Sequence, residues 1–109
     1  MYEVLKYQAK VNDVTLDTFE RSVKNGNVDM TVEVGTTGFC GGNRDSGTRV
    51  IFKLSDDGGA DFHAEVSEAT DGSKSVTICL CGDDELTAFL KALDFASTVI
   101  AEQISGIDD

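Results

Sequence analysis

Four side chains in this sequence have the chemistry to hold a soft metal or attack an electrophile: Cys40, Cys79, Cys81 and the single histidine, His63. Thiolate and neutral imidazole are the common zinc donors, and a thiolate beside an imidazole is a common nucleophile. Cys79 and Cys81 are two apart in an alternating segment, so on a strand both project to one side. An even register in a hairpin with the His63 segment sets the imidazole opposite one of them. Two residue rises nonetheless hold such sulfurs roughly 7 Å apart, whereas zinc knuckles place Cys-x-x-Cys at a turn. The third sulfur, Cys40, belongs to a different segment. These four are therefore the metal-ligand candidates, with Cys40 having to supply the third sulfur, and no cofactor is expected. Histidine is the side-chain type whose ordinary pKa lies nearest neutrality, so His63 is the first candidate general base. No serine or cysteine is placed as its nucleophile, so the expectation is a chain that is not an enzyme.

The segment from Gly35 to Gly47 holds five glycines and no periodicity, which predicts a long loop. Arg44 within it invites a phosphate-cradle reading, because glycine-rich backbone can turn its N–H groups to an anion. It lacks the Gly-Lys-Ser/Thr ending, and it joins strand to strand, so no helix N-terminus receives the phosphate. Phe39, an aromatic among glycines, is instead a candidate anchor for a protein partner. The pairs Asp56/Asp57, Asp83/Asp84 and Asp108/Asp109 fall at turns, a helix cap and the terminus, without the alternating oxygen ligands of a calcium loop.

These residues need a scaffold, and 109 residues suffice for one core, hence a single domain over 1–109. Hydrophobic residues at 40% and charged ones at 27% give a globular balance. A net charge of −11 repels both nucleic acid and an anionic membrane. An odd cysteine count with no signal-peptide layout at Met1-Tyr2-Glu3-Val4-Leu5-Lys6 points to reduced thiols in the cytoplasm.

Alternation marks strands over 3–11, 28–34, 49–54, 61–66 and 76–81, strictest over 28–34. Asp17 and Glu20 fit a capping box, Phe19 and Val23 share a helical face, and Asn25-Gly26 supplies a stop, so a helix is expected over 17–25. A second helix begins at Asp83 and carries Leu86, Phe89, Leu90, Leu93, Ala96, Val99, Ile100 and Ile104 at spacings of three and four. The expected class is α+β: an antiparallel sheet of four to five strands, in the order strand, helix, four strands, helix, with both helices on one face. Short Asp/Gly turns predict a meander, in which Phe52 opposite Phe62 also sets Lys53 against Asp61 and Arg49 against Glu65.

The run Asn25-Gly26-Asn27-Val28 into a strand, three further strands, and the Asp84-Glu85-Leu86-Thr87-Ala88-Phe89-Leu90 helix resembles a small bacterial family of unknown function, found chiefly in Firmicutes. That resemblance implies no activity and no site. The broad plan is also similar to the helix-grip ligand-binding fold and to small acidic dimeric secretion chaperones. The expectation is a non-enzymatic interaction or self-associating module that works through the wet sheet face or a strand edge. Its candidate contact residues are Phe39, Arg44, Ile51, His63, Cys79 and Cys81. The alternative is a small-molecule or metal-binding protein that uses the glycine-rich loop, His63 and the cysteines.

Overall fold

The computed structural model describes residues 4–39, 47–59 and 61–107. Six strands precede one helix: β1 Val4–Val11, β2 Val14–Asn25, β3 Val28–Thr36, β4 Val50–Gly58, β5 Phe62–Glu68, β6 Lys74–Leu80 and α1 Asp83–Ile107. The first four strands pair in sequence order as an antiparallel meander, and β5 with β6 forms a separate two-stranded sheet. The class is thus α+β with an antiparallel sheet. Among the described residues there is one helix rather than two, and the strand-helix-four strands-helix order is corrected to six strands followed by a helix.

The segment expected as a helix over 17–25 lies within β2. Asn12 and Asp13 both adopt positive φ, 50° and 68°, and Val11 faces Val14 across them. That is the two-residue type I′ connection that right-twisted strands favour, and short polar side chains tolerate it best after glycine. It commits the following chain to pair back on β1. The helical spacing arises because β2 buries different faces along its length. Leu16 and Thr18 are buried on one side, while Phe19, Arg21 and Val23 turn to the other, toward α1. Burial that switches faces between Thr18 and Phe19 imitates a three-and-four repeat. The two residues read as a capping box take other partners. Asp17 lies 3.6 Å from the Lys6 ammonium, and Glu20 stands between Leu5 and Glu33 in the sheet.

On the face toward α1, Phe19, Val34 and Phe52 form one row across β2, β3 and β4, and Arg21, Val32 and Leu54 the next. The helix lays Ala88, Ala92, Phe95, Ala96 and Val99 on this face, where Met30, Val32 and Val34 are fully buried. Alanines at spacings of four bring the helix backbone close to the sheet. Asp83, Asp84 and Glu85 occupy the first turn, where the helix end is positive. No helix among the described residues is long and apolar enough to cross a membrane.

The expected β4–β5 hairpin does not form. Phe52 faces Val34, Lys53 faces Glu33, and Phe62 faces Leu80. The Asp/Gly residues expected to turn are used as strand: Ser55 pairs with Thr31, Asp56 with Met30 and Gly58 with Asp29, with an irregularity between Asp29 and Met30. The chain then passes over the β2–β3 turn at Gly59, whose φ is +76° and where a side chain would overlap the Asn27 carbonyl. Only glycine permits both that dihedral and that approach. β5 accordingly leaves the edge of β4.

Candidate functional site

His63 and Cys79 stand directly opposite each other in the β5–β6 register, as the even register requires. Both are exposed, and His63 Nε2 lies 3.1 Å from Asp61 Oδ1. Cys81 is a second exposed free thiol, just past the end of β6, and its N–H donates to the Asp61 carbonyl at 3.2 Å. Among the described residues no three His, Cys, Asp or Glu side chains form a group able to hold a metal ion. Cys40 and Arg44 lie outside the described residues. Ile51 sits half-buried opposite Gly35 in the four-stranded sheet, so it does not join the thiols on one strand pair. Phe39 is exposed and lines a small cleft with Val50, Ile100 and Ile104.

Arg49 is not on a wet face against Glu65. It is 5% exposed, its Nε donates to the Val11 carbonyl at 3.1 Å, and its Nη1 donates to the Gly47 carbonyl at 2.8 Å. Thr37 N–H donates to the Arg49 carbonyl at 3.0 Å, and Arg49 N–H donates to Thr37 Oγ1 at 2.9 Å. These bonds close the neck of the glycine-rich segment. The guanidinium serves backbone carbonyls across the sheet end.

Two features escape a sequence reading. The first is Gln103 of α1. Its Nε2 donates to the Asp17 carbonyl at 3.1 Å, and its Oε1 accepts from Thr36 N–H at 2.9 Å. Pairing of β2 with β3 ends at Phe19 and Val34, one bonding pair short of Asp17 and Thr36. A side-chain amide, with one donor and one acceptor, therefore stands in for the missing rung. Beside it an apolar cleft of about 500 Å³ opens between α1 and the sheet, walled by Phe19, Phe95 and Val99. The Lys6 ammonium and the Arg21 guanidinium lie 6.0 and 5.9 Å from the Phe19 and Phe95 rings.

The second is the exposure of the hairpin's inner face. Phe62 with Leu80, Ala64 with Ile78, and Val66 with Val76 form three apolar rungs on one side. Phe62 and Leu80 pack against the core cluster, whereas Val66 is 80% and Val76 66% exposed. Leu86, Leu90 and Leu93 of α1 are likewise exposed, and their spacing puts them on one helical face. Glu85, buried in the first turn of α1, accepts the Asp61 N–H at 2.9 Å and so fastens the hairpin root to the helix. No protein-family model, curated protein or solved structure matches this chain.

Proposed function

We propose that this protein is a non-enzymatic association module that binds a protein surface through the apolar face of its β5–β6 hairpin, with Leu86, Leu90 and Leu93 of α1 contributing. The observation that supports it is the ladder of three apolar rungs, of which the innermost packs against the core cluster and the outermost stands exposed. Two-stranded hairpins are marginal by themselves in water, and full burial of one valine is worth about 1.5 kcal/mol or more. A hairpin that extends Val66 and Val76 into solvent gains its missing burial from a partner. The radius of gyration, 15.5 Å, exceeds the roughly 13 Å of a compact domain of this length, consistent with surface left open. The net charge of −11 disfavours nucleic acid and anionic membrane as that partner, and two exposed free thiols suit a reducing compartment such as the cytoplasm.

Light scattering of purified protein over a hundredfold concentration range, with and without Val66→Glu and Val76→Glu, tests this. The native chain is expected to associate and the variants, Val76→Glu above all, to do so less, with unchanged far-UV circular dichroism. Equal association of all three would remove the hairpin from consideration.

A second reading rests on the cleft beside Phe19 and Phe95, which has the volume and apolar walls of a small-molecule site. There Val99→Trp, which fills the cleft, abolishes binding of an apolar fluorescent dye while the hairpin variants leave it intact.

A further inference from the structure

The partner can be specified further, on the premise that the hairpin is the association element of the protein. We infer that it is a second copy of this chain, joined antiparallel along the open edge of β6 so that two hairpins form one four-stranded sheet about a two-fold axis.

The backbone supports this edge. Ala69 N–H donates to the Ser73 carbonyl and Cys81 N–H to the Asp61 carbonyl, at the two ends of the hairpin. Bonded pairs alternate along an antiparallel ladder, so Ser75, Thr77 and Cys79 bond inward to β5. Lys74, Val76, Ile78 and Leu80 then turn their N–H and C=O groups to the open side, where no strand among the described residues pairs with them.

Charge selects the occupant. In a chain of net charge −11, two copies repel unless they meet where charge is sparse. β6 has one charged residue, Lys74, the fewest of the six strands. The other open edges are guarded: β1 carries Lys6 and Lys10, β4 carries Lys53, Asp56 and Asp57, and β5 carries Glu65 and Glu68. Charged side chains on an edge are what blocks strand addition. A basic partner would find no carboxylate on β6 to bind.

The register is self-complementary as well. A two-fold axis at Thr77, the centre of the strand, sets Val76 against Ile78 of the second copy and Lys74 against its Leu80. The apolar face stays continuous, and each opposed pair is a hydrogen-bonded one. Lys74 then lies beside the strand end that leads into the acidic first turn, Asp83, Asp84 and Glu85, of the second copy. Thr77 meets its own counterpart in the close, non-bonded position, with Cα atoms about 4.5 Å apart, within the range a disulfide spans.

The test is Thr77→Cys in a full-length Cys40→Ser, Cys79→Ser, Cys81→Ser background, with Glu65→Cys as control. Oxidation is expected to link Thr77→Cys chains into covalent dimers and to leave Glu65→Cys chains unlinked. Thr77→Lys complements it: the new ammonium faces Glu65 within its own hairpin but a like charge across the axis. The dimer dissociation constant should rise about fivefold without a lower melting temperature. A dimer by light scattering whose Thr77→Cys variant does not cross-link overturns the strand pairing and leaves the apolar face as the association surface. A monomer at every concentration overturns the second copy as the occupant.

Discussion

Gln103 is the residue whose removal tests the architecture most sharply, because one side chain there holds two strands at the point where they cease to pair. In Gln103→Met the apolar stem and volume persist while the Asp17 carbonyl and the Thr36 N–H both lose their partner. A hydrogen bond contributes about 1 kcal/mol net, and a buried group left unpaired costs roughly 1–3 kcal/mol. Thr36 is buried and Gln103 half-buried, so water replaces part of the loss at Asp17 more readily than at Thr36. The expected destabilisation is about 2 kcal/mol by urea denaturation with an unchanged slope. Gln103→Glu separates the two bonds: it keeps an acceptor for Thr36 N–H but sets a carboxylate against the Asp17 carbonyl. At neutral pH it should cost at least as much as the methionine variant. A methionine variant as stable as the native chain would refute the substitution of the amide for a sheet rung.

Glu85→Ala removes the acceptor of the Asp61 N–H and should cost about 2 kcal/mol, since bonds to charged groups are worth roughly 1.5–3 kcal/mol. Glu85→Gln, which retains an acceptor oxygen, should restore much of it in the same denaturation assay. Asp71, in the β5–β6 turn, has its carboxyl held below the usual aspartate range, first by the Ser73 N–H and then by the Ser73 hydroxyl. A depressed carboxyl stabilises the fold above its unfolded pKa and loses that contribution as pH falls through the folded value. The turn should therefore be unaffected from neutrality to the ordinary aspartate range and loosen only in stronger acid. The Ser73 amide shift followed by NMR should titrate accordingly and become flat in Asp71→Asn.

Much of the strand pattern is legible because alternation over Val28 to Val34 or Phe62 to Val66 leaves one solution that buries one face. The His63–Cys79 juxtaposition is legible for the same reason, since matching apolar rungs force the register. β2 is not, because Leu16 and Thr18 are buried on one side of the sheet and Val23 on the other, and a strand that changes faces has no period of two. The β4–β5 pairing failed on a local ambiguity: Ser55-Asp56-Asp57-Gly58 has turn composition, yet its backbone is bonded to β3. Arg49 reads as a surface cation because nothing in its neighbours announces the Val11 carbonyl across the sheet. Gln103 reads as a polar residue of a helix for the same reason. The free edge of β6, by contrast, is written in composition: 73–82 contains no acidic residue in an otherwise acidic chain.

Association through the hairpin is tested most directly by amide hydrogen exchange of 62–80, measured at low and high protein concentration. Protection of the Val76 and Ile78 amides should rise with concentration while that of the Met30 and Val32 amides in β3 stays constant. Exchange of the hairpin that is independent of concentration, in a sample whose mass doubles, would contradict the assignment of this face.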